Sequence, residues 1–218
     1  MIEVKHIFKT FDGKTILNDI SAQFFAGKTN LIIGKSGSGK TVMMKSIVGL
    51  IRPDSGEVLY DGNDFLRMNA SQVKALRSEI GMLFQGSALF DSLTVLENVM
   101  LPALAADETA QEARRRALLA LNKCGAADLA DLRPSSLSAG QRQIACLARA
   151  VVNRPVLILA DEPATHLDKT NAQTLINLLS AFALAGVTVV AATHQHLTPE
   201  GCRSREITLS ASNRGGAA

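Results

Sequence analysis

The chain has 218 residues, 47% of them hydrophobic, with a mean hydropathy of +0.15. This length suits one large domain with a sizeable buried core, and the apolar content excludes an intrinsically disordered chain. Charge is nearly balanced, 23 Lys and Arg against 20 Asp and Glu for a net +3, so composition offers no electrostatic case for a nucleic-acid partner.

In chain order, residues 3–9 and 16–25 alternate polar with apolar around a turn at Asp12-Gly13, the pattern of two half-buried antiparallel strands. Residues 29–34 form a short apolar run, expected to be a buried strand. A glycine-rich turn follows, then a helix over residues 41–50. Residues 57–62 return as a strand, a helix starts at Ser71, and residues 80–85 read as another strand. Asp107 is placed to cap a helix running to about Lys123, with Ala110, Ala113, Ala117, Leu118 and Leu121 on one face and Gly125 at its end. This segment reads as part of a helical lobe inserted between Gln85 and Ser138, and with the helix that follows from about Gln141 the lobe spans about residues 87–150. A helix from about Gln141, a strand over 156–160, a helix from Asp168 and a strand over 187–192 complete the order.

Residues 170–199 contain no Asp, Glu, Lys or Arg, which raises the question of a transmembrane helix. Asn177 and Ser180 interrupt the run, and Gly186 divides it. Before the glycine, Leu175, Ile176, Leu178, Leu179, Phe182 and Ala183 recur at helical spacing; after it, VTVVAA is β-branched and short. A helix, a glycine stop and a strand are expected, not a span. The first residues, MIEVKHIF, lack a signal-peptide core, and Cys124, Cys146 and Cys202 form an odd set without metal-ligand spacing, as in a reducing compartment. The expectation is a soluble cytosolic chain. Its fold is expected to be α/β, a mainly parallel sheet with an antiparallel β lobe and a helical lobe, all within one domain over residues 1–218.

The sequence GKSGSGKT at residues 34–41 matches G-x-x-x-x-G-K-[ST] in full, between an expected strand and an expected helix. Gly34, Gly37 and Gly39 let backbone N–H groups turn inward around anionic oxygens, with Lys35, Ser36 and Ser38 completing the loop, and the helix N-terminus adds a favourable dipole. Lys40 is placed to reach the β- and γ-phosphates, and the Thr41 hydroxyl to ligate Mg²⁺. With glycine at about 7% of residues, coincidence at four fixed positions is rare, and the strand–helix context makes it rarer. GTPases and small-molecule kinases share this motif.

Two further segments narrow the class. In VLILADEP, Asp161 ends an apolar strand at the edge where open α/β sheets bind ligands. It is suited to hold Mg²⁺, and Glu162 beside it to orient or deprotonate an attacking water. In SLSAGQRQIACLARA, Ser138 and Gly140 precede a helix, a second anion-compatible N-terminus. Since one phosphate loop already lies within the chain, this second element suggests two chains around one nucleotide; an ordinary N-cap is the plainer reading.

The order of GKSGSGKT, Gln85 after a strand, LSAGQ at 137–141, LADEP at 159–163, HLD at 166–168 and His194 resembles the ATP-binding subunit of ABC transporters over about 200 residues. The resemblance implies an ATPase that closes as a head-to-tail homodimer on ATP and Mg²⁺ beneath a membrane permease, on the cytoplasmic face of the inner membrane. It implies that Phe11 stacks on adenine, that Thr41, Gln85 and Asp161 bind Mg²⁺, and that Ser138, Ala139, Gly140 and Gln141 close on the other subunit's γ-phosphate. It further implies that Glu162 is the catalytic base, that Asp168 signals between subunits and that His194 contacts the γ-phosphate. His6, His166 and His196 are read as ordinary histidines.

Two departures stand out. Ala139 replaces a usual glycine and would slow hydrolysis if that position needs positive φ or close phosphate approach. Ala164-Thr165-His166 is also unusual. Residues 33–42 and 80–102 resemble the ATPases of lipid-asymmetry systems, which work with a permease and a periplasmic Mce-type lipid-binding protein. Residues 149–163 and 186–194 resemble the cell-division and lipoprotein-release ATPases. Leu89, Phe90, Leu93 and Val95 are expected either to meet the permease or to be buried in the helical lobe.

Overall fold

A computed structural model describes residues 1–84, 89–193 and 204–209. Strands β1 (Ile2–Phe11) and β2 (Lys14–Phe24) form an antiparallel hairpin around Asp12-Gly13. Its alternation is broken where His6 and Asp19 take positive φ, and the register shifts there, twisting the pair. Strand β3 (Thr29–Ile33) leads through residues 34–39 into helix α1 (Lys40–Ile47), which ends earlier than the apolar pattern suggested. Gly49 turns at φ 66°, and Arg77 caps the helix end by donating to the carbonyls of Val48 and Gly49.

Strands β4 (Ser55–Tyr60) and β5 (Asn63–Asp64) join the hairpin in an antiparallel sheet of order β2-β1-β4-β5. Helix α2 (Ala70–Ser78) starts at an Asn69–Gln72 capping box, one residue before the expected Ser71, and leads to β6 (Ile80–Leu83).

The helical lobe differs most from expectation. Helix α3 (Val95–Ala105) has no counterpart among the expected elements; it accommodates Pro102 and is capped by the Thr94–Glu97 box. Helix α4 (Ala110–Lys123) is capped by Thr109, not Asp107, which sits in the preceding turn at φ 64°. Helix α5 (Ala139–Val151), capped by Ser138, starts two residues before the expected Gln141.

Strand β7 (Leu157–Asp161), helix α6 (Lys169–Leu184) capped by Asp168, and β8 (Thr188–Thr193) follow. The uncharged run therefore divides at Gly186, φ 97°, as expected, and among the described residues no helix is long and apolar enough to cross a membrane. Strand β9 (Ser204–Thr208), which the sequence pattern did not reveal, completes a five-stranded sheet of order β6-β7-β8-β3-β9 in which every neighbouring pair is parallel.

The apolar runs of β7 and β8 feed two cores, one on each face of this sheet. Ile158, Ala160, Val189 and Ala191 pack with α3–α6; Leu157, Leu159, Val190 and Ala192 pack with α1 and the antiparallel sheet. Alternate side chains point to opposite faces, so a strand covered on both sides must be apolar throughout. The same parallel arrangement brings the C-terminal ends of β3, β7 and β8 to one edge.

Candidate functional site

At that edge β3 ends and the chain coils through Gly34, Lys35, Ser36, Gly37, Ser38 and Gly39 into α1. The Ser38 amide donates to the Lys35 carbonyl, closing the loop. Gly39 is the N-cap at φ 98°, and a Cβ there would lie 2.9 Å from Leu17 and 3.1 Å from the Ile16 carbonyl oxygen, so only glycine suits this position. The cap offers no side-chain acceptor, leaving the first amides of α1 available to an anion.

Lys40 is buried at 6% side-chain exposure, an expensive position for a cation without partners. Its Nζ donates to the carbonyls of Gly34 (2.7 Å) and Lys35 (3.3 Å) and lies 3.3 Å from Glu162 Oε1.

Asp161 is the last residue of β7 and 3% exposed. Burial raises its pKa above the usual carboxylate value; the Thr41 hydroxyl hydrogen bond and the charge of Lys40 oppose this, while the charge of Glu162 adds to it. Asp161 Oδ1 has no hydrogen-bond partner among the described residues, and neither does the buried Ser38 Oγ. A buried carboxylate oxygen left open beside a threonine hydroxyl and a phosphate-type loop suits a hard cation with oxygen ligands, so Thr41 and Asp161 fit Mg²⁺.

Glu162 follows at φ 48°, a strained conformation for a residue with a Cβ, held by the hydrogen bond its amide N–H donates to the Ala192 carbonyl. Its Oε2 accepts from Thr165 Oγ1 at 3.2 Å. In sequence Thr165 stands out only as part of an unusual tripeptide; its spacing three residues after Glu162, across a tight turn, is the signal for its role.

Phe11, 41% exposed at the end of β1, lines a cavity of about 520 Å³ with Ile16, Ser36, Gly37, Gly39, Lys40, Thr41, Val42, Glu162 and Thr165. This volume is in the range of small-molecule sites. An exposed ring facing a phosphate-type loop supplies a stacking surface for a base.

The LSAGQ segment lies elsewhere. Ser138 caps α5 in a reciprocal box with Gln141, with Ser138, Ala139 and Gln141 exposed and none of residues 138–141 lining that cavity. Ala139 opens the helix and does not have positive φ, so the backbone-strain reason for a slow enzyme is removed. Gly140 is the constrained position: a Cβ there would come within 2.6 Å of the Asn171 side chain, which is bonded to Asp168. Asp168 Oδ1 accepts from the Asn171 amide, and these bonds hold its pKa below the usual value. The signature helix and the Asp168 cap therefore pack as a unit. Gln85 and His194 lie outside the described residues, next to Phe84 and to Thr193 at the end of β8.

The ABC transporter family matches residues 17–165, which include the phosphate loop, the signature and Asp161-Glu162. The chain belongs to the ABC transporter ATP-binding family. It is 37% identical over 195 residues to the cell division ATP-binding protein FtsE of Escherichia coli, covering 89% of this chain and 88% of that protein. The lipoprotein-releasing system ATP-binding protein LolD of Bacteroides thetaiotaomicron is 38% identical, covering 82% of each chain. A dimeric bacterial ABC transporter cassette superposes with TM-score 0.85 at 32% identity, covering 96% of this chain and 94% of the other. That cassette has also been solved as a dimer in a post-hydrolysis state bound to ADP and Pi, with TM-score 0.80, 33% identity, and 89% and 88% covered. The present chain is accordingly an ATP-hydrolysing subunit of an ABC transporter.

Proposed function

We propose that this subunit works as a head-to-tail homodimer with two ATP molecules between its chains, on the cytoplasmic face of the inner membrane beneath a permease, moving lipids or lipoproteins. The observation that carries the dimer is the separation of parts within one chain. The cavity at residues 34–41 lacks any signature residue, while Ser138 stands exposed at the start of a second helix. One nucleotide meets both only if a second chain supplies the signature. The dimeric state of the similar cassette supports this reading.

In the proposed mechanism Phe11 stacks on adenine, and Lys40 with the loop amides binds the phosphates. Thr41, Asp161 and Gln85 would hold Mg²⁺, which when bound supplies positive charge against the phosphate oxygens. Glu162, placed beside Lys40 and within the cavity, orients and deprotonates the attacking water. Ser138, Ala139, Gly140 and Gln141 of the second chain close on the γ-phosphate, His194 contacts it, and Asp168 relays closure through its packing on the signature helix. Hydrolysis removes the shared γ-phosphate and reopens the dimer.

Glu162→Gln tests the sandwich, since it keeps the side-chain shape and removes the base. Saturating ATP should convert this variant into a stable dimer on a sizing column, with hydrolysis lost. A variant that stays monomeric while wild type hydrolyses ATP would overturn the proposal.

The likeness to LolD supports lipoprotein cargo, and the likeness to FtsE supports a second reading, in which closure transmits force to a membrane partner in cell division without transport. Purification of the native complex separates them. A periplasmic Mce-type lipid-binding protein in the complex supports transport; a periplasmic hydrolase activator supports force transmission.

A further inference from the structure

We infer that Thr165 is a positioning residue for hydrolysis, holding the Glu162 carboxylate in its working orientation when Lys40 turns to the phosphates. This rests on the reading of Glu162 as the base.

Both oxygens of that carboxylate are engaged, but by groups with different fates. Oε1 faces Lys40 Nζ at 3.3 Å, and Oε2 accepts from Thr165 Oγ1 at 3.2 Å. Lys40 is also bonded to the Gly34 and Lys35 carbonyls, so without nucleotide its charge is shared among the loop and Glu162. An arriving triphosphate competes for that ammonium with several anionic oxygens, and the Lys40 hold on Oε1 weakens at the step that needs Glu162 in place.

The Thr165 contact does not depend on the phosphates. The Thr165 amide donates to the Glu162 carbonyl at 3.2 Å, closing a turn that fixes the hydroxyl relative to the carboxylate. Thr165 itself is half-buried and lines the cavity, so its hydroxyl sits where the base acts. Ala164 beside it is buried and carries no hydroxyl, leaving Thr165 as the hydroxyl-bearing residue of this turn. Glu162 starts from a strained backbone at φ 48°, and a base on a strained turn needs its side chain held as well.

Thr165→Ala, Thr165→Val and Thr165→Ser, with Glu162→Gln alongside, test this by steady-state and single-turnover ATP hydrolysis; the single-turnover assay, with enzyme in excess, still reads a slow chain. Loss of the hydroxyl should lower kcat about tenfold, the order expected when a catalytic group is misplaced by a fraction of an ångström, with KM for ATP unchanged. Ser should restore the rate; Val, which keeps the shape without the donor, should not. Wild-type kcat in the Ala or Val variant overturns the inference, as does a rise in KM with kcat unchanged, or failure of Ser to rescue. Glu162→Gln separates the two levels: if it hydrolyses like wild type, the reading of the base fails, whereas a dead Glu162→Gln with a fully active Thr165→Ala removes only the role of Thr165.

Discussion

At the scale of single residues, the site is a set of buried polar groups left partly unsatisfied. Lys40 is stabilised by carbonyls and Glu162, but among the described residues Asp161 keeps one oxygen unpaired, and its pKa is raised, chiefly by burial. The native protein therefore retains a proton on Asp161 at pH values where the unfolded chain has lost it. Its ionisation weakens the fold as pH rises from the unfolded-state pKa through the native one; below that window the group is neutral in both states and the effect disappears. Asp161→Asn should accordingly raise the urea midpoint of the nucleotide-free chain at neutral pH, with the gain shrinking as pH falls toward about 4, the ordinary carboxylate range. The same variant should lose the thermal stabilisation that Mg²⁺ and ATP give the wild type. A lower midpoint at neutral pH would contradict the account. The three glycines of the phosphate loop and the Lys40, Asp161 and Glu162 types were legible in sequence because phosphate chemistry dictates them. Thr165 was not, because its role comes from a turn that folds it back onto Glu162.

At the scale of elements, α3 forms in spite of a local breaker. Its helix contains Pro102, yet it is held at its start by more than a cap. The Val95 and Leu96 amides donate to the Leu132 and Ala130 carbonyls, and Asn98, fully buried, ties the preceding loop. The Asn98 side-chain Oδ1 accepts from the Phe90 amide at 2.7 Å, and its Nδ2 donates to the Phe90, Leu93 and Thr94 carbonyls. Asn98→Ala leaves several of these groups unpaired at once and should cost about 2–4 kcal/mol in chemical denaturation. It should also speed proteolysis between residues 89 and 94; unchanged stability would show that the loop is held by other means. The apolar set expected at this surface divides accordingly. Val95 is wholly buried and Leu89 packs on the core, while Phe90 stays 57% exposed. Linear sequence cannot show that division, since it depends on where the Asn98 clamp turns the loop.

At the scale of the molecule, one parallel sheet is the shared floor of two cores. Ile158 and Leu159 are neighbours in sequence, both fully buried, and belong to opposite faces. Ile158→Ala and Leu159→Ala should each cost about 2–5 kcal/mol. Because the cores share β7 and β8, unfolding should remain one transition by both calorimetry and far-UV circular dichroism. Two transitions, with Ile158→Ala moving only one, would show that the faces unfold independently.

The sequence by itself determined the phosphate loop, the acidic pair after a buried strand, the signature ahead of a helix, and the division of the uncharged run at Gly186. Each follows from chemistry or periodicity carried within a few consecutive residues. Tertiary structure decided the rest: that β9 extends the sheet beside β3, that Pro102 sits inside a helix, that Ala139 is unstrained while Gly140 is confined by Asn171, and that the signature lies apart from the phosphate cavity. Apart from Ala139, whose helical backbone follows from the local Ser138–Gln141 box, the physical reason is common to these cases, since each depends on packing or hydrogen bonding between segments distant in the chain.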